Sequence, residues 1–170
     1  MKRRLFGTNK AVEDKIANLN RIDVFDDGWS EVYLDPETNE KWLKYVIDPD
    51  RGKFYHLVLF EPKLSKNDLI QVALQSEHKD EVAAASKRLF LTENFLFYSY
   101  DLLDGIEKKI HAGDLDENRK ECIKNLIIAA QLNNRVNNNT ILKNSKEVVD
   151  AEYSLQSEIA DRAETILNSL

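Results

Sequence analysis

The order of hydrophobic patterns along the chain predicts an α+β fold, a three-stranded antiparallel meander packed on a C-terminal bundle of four to five helices. Before about residue 62, aromatic and β-branched residues come in short runs separated by turn residues. After Pro62, apolar residues recur at steps of three and four, the spacing of one helix face. Strands followed by helices, not alternating with them, are the mark of the α+β class. A chain of 170 residues suits one domain of roughly 100–200 residues. Residues 1–62 then supply a short helix and the meander, and residues 63–170 the helical part.

Each element has a local cause. Val12, Ile16 and Leu19 share a face and predict a short helix over Val12–Leu19. Trp29–Leu34, Lys41–Ile47 and Phe54–Phe60 are rich in Trp, Tyr, Phe and Val and suit strands. Their connectors open with Asp35-Pro36 and Asp48-Pro49, where proline fixes φ and the Asp carboxylate can bond nearby backbone N–H groups. Ser65, with Asp68 three residues on, predicts an acidic capping box opening a helix over Lys66–Gln75. Further helices are expected over Asp80–Leu91, over Glu93–His111 behind Thr92, and from Asp114 or Asp116 through Ala130. Gly113 stops the helix that ends at His111, and the Asn-rich run 133–139 stops the one that ends at Ala130. Ser145 opens a last helix carrying Val148, Leu155, Ile159, Ala163, Ile166 and Leu170.

Composition narrows the function. Net charge is −6. Residues 1–10 carry four basic groups and no acid, residues 11–50 eleven acids against four basic groups, and residues 144–170 six acids against two. Such a surface repels phosphate backbones and argues against nucleic acid as a partner. It attracts basic proteins. A single cysteine, Cys122, cannot form an intrachain disulfide. No run approaches the roughly 18–20 apolar residues of a membrane span, and the basic N-terminus lacks a signal-peptide core. A cytoplasmic protein without membrane contact is expected.

Catalytic and metal chemistry find little footing. His56, His78 and His111 have no partner at metal-ligand spacing. The segment Asp114-Leu115-Asp116-Glu117-Asn118 begins like a calcium loop, but Arg119 stands where glycine is needed and Asn125 where the bidentate glutamate belongs. Cys122 falls on an apolar helix stripe. Asp101 and Asp104 lie one helical turn apart, the spacing of a possible acid–base pair and also of ordinary solvated acids. No enzyme activity, cofactor or metal is expected.

The aromatic meander remains. Trp29, Tyr33, Trp42, Tyr45, Phe54, Tyr55 and Phe60 outnumber what one face of a small sheet can bury. Trp29, Tyr33 and Tyr45 are candidates to cover the helices, although the period leaves the choice of face open. Trp and Tyr set among acids have the composition of a protein-binding centre, which nominates Trp29, Glu31, Tyr33, Asp35, Glu37, Trp42 and Tyr45.

Residues 28–45, from Gly28-Trp29-Ser30-Glu31-Val32-Tyr33-Leu34-Asp35-Pro36 to Lys41-Trp42-Leu43-Lys44-Tyr45, resemble the opening motif of the immunity protein 27 family. That family pairs a tryptophan strand and an Asp-Pro turn with a second tryptophan strand ending near Tyr. Past Tyr45 the family runs into a Gly- and Pro-rich segment, where this chain has Val46-Ile47-Asp48-Pro49. The resemblance implies a bacterial immunity protein that neutralises a cognate toxin by direct binding, its partner a basic toxin domain. Two other classes stay open. Leu69–Leu74 followed by Asp80–Ala85 is similar to one HEAT-type helical pair, implying an adaptor or scaffold, although a solenoid needs about three repeats. An enzyme whose site is gathered from distant segments is the third.

Overall fold

The computed structural model describes residues 2–47, 54–113, 115–135 and 146–170, with side chains from residue 151 onward in the last segment. The elements are β1 (Leu5–Phe6), α1 (Asn9–Ile16), β2 (Asn20–Phe25), β3 (Ser30–Leu34), β4 (Lys41–Val46), β5 (Tyr55–Glu61), α2 (Lys66–Gln75), α3 (Lys79–Thr92), α4 (Phe95–His111), α5 (Glu117–Ala129) and α6 (Lys146–Ser169). The second Asp-Pro connector, Asp114, the Asn-rich run beyond Arg135, the Ser145 cap and the Val148 side chain lie outside the described residues.

The class is α+β, but the sheet has five antiparallel strands, not three, in the order β1-β5-β4-β3-β2. The expected meander β3-β4-β5 is its centre, and β1 and β2 add an edge on either side. Both additions come from the N-terminal segment, where local pattern is weakest. β1 is two residues long, and β2 carries a register shift between Arg21 and Asp23 that breaks its alternation. Nor do the helices form one C-terminal bundle of four to five. There are six among the described residues, and α1 precedes most of the sheet and covers its other face.

Cross-strand register explains both layers. Leu5, Val58, Leu43 and Val32 stand side by side across four strands and face the helices, packing with Leu69, Val72, Val82, Leu89, Tyr98, Leu102, Ile106, Leu126 and Ile159. One residue along, the pleat reverses. Tyr33, Trp42 and Leu59 form the opposite row and pack with Val12 and Leu57 against α1. Tyr33 therefore lies under α1 and not under the main helical layer. Tyr45 does face the helices, while Trp29 faces neither and is 45% exposed.

Helix starts follow their caps. Ser65 accepts from the Asp68 N–H while the Asp68 carboxylate accepts from the Ser65 N–H, completing the box that opens α2, a feature worth about 1 kcal/mol. Asn94, two residues later than the expected Thr92, caps α4, and Asp116 caps α5 by accepting from the Arg119 N–H at 2.7 Å. The N-terminal strand is fastened by buried Glu81, whose carboxylate accepts from the N–H of Arg4 at 2.6 Å, the N–H of Leu5 at 3.2 Å and the Ser76 hydroxyl at 2.7 Å. Gly7 lets the chain pass α3 closely, since a Cβ there would stand 2.3 Å from the Asp80 carbonyl oxygen.

Candidate functional site

The structure separates the seven nominated residues. Trp42 is 1% exposed, its ring against Phe6 at 5.7 Å between centroids and under the Lys15 ammonium at 5.0 Å. Tyr33 and Tyr45 are buried on opposite faces of the sheet. Asp35 is buried in the β3–β4 turn, accepting from the N–H groups of Glu37 and Thr38 and from Lys15 at 3.0 Å. The Lys15 bond, foremost, holds its carboxyl below the usual range. Burial by itself would raise Glu31, but hydrogen bonds from Lys44, Arg21 and the Tyr33 hydroxyl outweigh it, and the net shift is downward. Burial and that same carboxylate push Tyr33 up to about 12. These residues form a polar lattice across three strands. Only Trp29 and Glu37 are exposed, at opposite ends of β3 and about 20 Å apart at the rise of a strand.

A second set of exposed apolar residues lies along the edge strand that leads into Trp29, Val24 on the α1 face of the sheet and Phe25 on the other. β2 is an edge of the sheet, and all six of its residues are exposed. Ile22 (48% exposed), Val24 (46%) and Phe25 (38%) alternate or adjoin Asp23, Asp26 and Asp27. Between β2 and β3, Asp26, Asp27 and Gly28 all take left-handed backbone angles, with φ of 54°, 52° and 90°. Asp tolerates that region and Gly prefers it, which explains the sequence of the turn. The turn is held by the Trp29 N–H donating to the Asp26 carbonyl at 2.9 Å and the Ser30 hydroxyl donating to the Asp26 carboxylate at 3.1 Å. Trp29 is bonded through its carbonyl to the Val46 N–H at 3.2 Å, which brings the apolar edge around to the end of the sheet. Ile22, Val24 and Phe25 were not among the nominated residues. The readable signal was Asp27-Gly28, a hairpin dipeptide, preceded by a run of Ile, Val and Phe.

A second arrangement invites a catalytic reading. Ser30, Tyr45 and His56 occupy one row across β3, β4 and β5. His56 is buried, with Nδ1 lacking a hydrogen-bond partner among the described residues, and burial, aided by Lys87, lowers its pKa to about 4. It stacks edge-on against Tyr45 at 5.9 Å. Ser30 stands two strands away, about 10 Å at sheet spacing, beyond the reach of a nucleophile–base hydrogen bond. The row packs the sheet against α3.

The remaining candidates are separately occupied. Asp101 pairs with Lys66 at 3.7 Å and Asp104 with Arg162 at 2.7 Å. His78 and His111 are exposed, and His111 Nδ1 lies 2.7 Å from the Glu107 carbonyl one turn back. Cys122 is buried, which raises its thiol pKa. Among the described residues no group of three or more His, Cys, Asp or Glu could hold a metal ion, and no helix is long and apolar enough to cross a membrane. Comparison with protein-family models, with curated proteins and with solved structures finds no match to this chain.

Proposed function

We propose that this protein acts by binding another protein, without catalysis of its own, and neutralises a basic toxin-like partner in the manner of an immunity protein. The observation that carries the reading is the edge of the sheet, where Ile22, Val24, Phe25 and Trp29 expose apolar surface among Asp23, Asp26 and Asp27. An exposed edge strand offers backbone groups to an incoming chain and is usually blunted in proteins that do not use it. Here the register shift at Ile22 and the Asp23 carboxylate, which accepts from the Val24 N–H at 2.8 Å, limit indiscriminate pairing. Apolar contacts in a ring of acids favour a partner of opposite charge. The resemblance to the immunity protein 27 family over residues 28–45 includes Trp29 and agrees with this placement.

Photocrosslinking in the producing cell tests the reading. A photoreactive residue is placed at position 22, at 29, or at 91 on the helical side as a control. A basic protein captured from positions 22 and 29 but not from 91 is the expected result. Capture from 91 alone, or none from 22 and 29, would overturn the proposed surface.

A further inference from the structure

A groove on the helical side offers a second docking surface, independent of the sheet edge. Ile159, Ala163 and Ile166 of α6 face the core and are almost fully buried. The adjacent stripe, running from Ser154 through Ser157, Glu158, Asp161 and Thr165 to Ser169, lines an open groove of about 670 Å³ whose other wall is the last turn of α4. Small hydroxyl side chains at these steps leave the space that larger ones would fill. Sixteen residues of helix, fifteen steps of about 1.5 Å, make the stripe about 22 Å long. The groove is open on one side and its α4 wall, Glu107 to His111, is little more than one helical turn long, so it does not enclose a whole helix. The groove admits a row of side chains and leaves their backbone outside.

Its chemistry selects the row. Ile110 and Ile166 supply an apolar floor. Glu107, Glu158, Asp161 and neighbouring Asp104 set four carboxylates about it. Arg162 is held across the gap by Asp104 at 2.7 Å and by both oxygens of Glu107 at 3.0 and 2.9 Å, so its charge is satisfied within the protein and it acts as a strut. Asp161 pairs with Arg135 at 2.7 Å, whereas Glu158 has no ion-pair partner among the described residues. We infer that this groove receives one amphipathic helix of a partner protein, its apolar row seated over Ile110 beside the buried Ile166 and a flanking Lys or Arg side chain meeting the exposed Glu158. This is the helix-in-groove mode of recognition. A second copy of this chain fits poorly, because its net charge is −6 and like charges would meet.

The probe is a synthetic peptide of about 16 residues, long enough to span the stripe as a helix, with leucine at helical steps and lysine on either side. Its binding to the full chain is read by fluorescence anisotropy beside a scrambled peptide of the same composition. Ser157→Trp fills the groove without changing charge, and Glu158→Lys reverses charge at an exposed position that makes no ion pair among the described residues. Each variant, and the scrambled sequence, is expected to bind roughly tenfold or more weakly, the scale on which one central contact acts. Trp29→Ala and Ile22→Asp are expected to bind the peptide as wild type does, which separates this groove from the sheet edge. Equal affinity for the scrambled peptide, or for both groove variants with folding confirmed by circular dichroism, would overturn the inference. Failure of the designed peptide to bind at all would do the same.

Discussion

Trp42→Ala should act on stability and not primarily on recognition. Its indole is 1% exposed and fills the space between the sheet and α1, against Phe6, Val12, Tyr33, Leu57 and Leu59. A buried Trp removes roughly 200 Å² from water, which at about 25 cal/mol per Å² corresponds to about 5 kcal/mol. The indole N–H is buried and finds no hydrogen-bond partner among the described residues, an offset of about 1–2 kcal/mol. The cavity left by alanine adds back part of that difference. A net loss of about 4 kcal/mol is expected, which for a chain of this length lowers Tm by roughly 10 °C. Trp42→Phe keeps most of the apolar contact, removes the unpartnered N–H, and should cost under about half as much. Urea unfolding followed by far-UV circular dichroism measures both. A Trp42→Ala loss below about 1 kcal/mol would refute the placement of this ring at the centre of the second core.

Other consequences follow from single contacts. Glu81→Ala removes the acceptor shared by the N–H groups of Arg4 and Leu5 and the Ser76 hydroxyl. About 3 kcal/mol should be lost, together with hydrogen-exchange protection of the Leu5 amide, and unchanged protection would contradict this role. Gly7→Ala forces a Cβ toward the Asp80 carbonyl at 2.3 Å and should destabilise by about 2 kcal/mol, whereas a neutral effect in thermal melts would show that β1 can shift away from α3. His56 is held neutral with a pKa of about 4, and Asp80, Lys87 and Arg88 are the charged groups that act on it. The unfolded chain takes up its proton near pH 6.5 and the folded chain only near 4, so stability is full above 6.5 and falls as pH drops between those values. The loss approaches about 3 kcal/mol. His56→Leu should flatten that part of the pH profile, and an unchanged slope would sink the assignment. Hydrogen bonds from Ser65, then the ion pair with Arg4, lower the Asp68 pKa to about 2. Its contribution is present above about pH 4 and disappears as pH falls toward 2, so an NMR titration of its carboxyl with a midpoint near 4 would contradict the capping geometry.

What the sequence made legible follows from how strongly each segment is buried. The central strands and the helix over Lys66–Gln75 were readable because alternation, capping residues and burial coincide there. β2 was not, since all six of its residues are exposed and its register shift interrupts the alternation. β1 holds only Leu5 and Phe6, and it is secured by Glu81, 76 residues away from Leu5, a contact that no local pattern encodes. The aromatics are legible as a group, but their sorting depends on α1 lying on the second face. Without that helix, Trp42 and Tyr33 would have been free to serve as surface. The exposed part of the candidate site sits beside an Asp-Gly turn whose hairpin signal was readable, whereas the α4–α6 groove depends on tertiary packing and leaves no local trace beyond the Ser and Thr steps of α6.

Neutralisation itself gives the most direct test. Once a basic partner has been captured from positions 22 or 29, growth is followed in cells producing that partner alone, with the wild-type chain, or with folded Trp29→Ala and Ile22→Asp variants. The partner alone should arrest growth, the wild-type chain should restore it, and the two variants should restore it poorly while retaining wild-type thermal stability. Growth unaffected by the partner, or restored equally by both variants, would contradict neutralisation through the sheet edge.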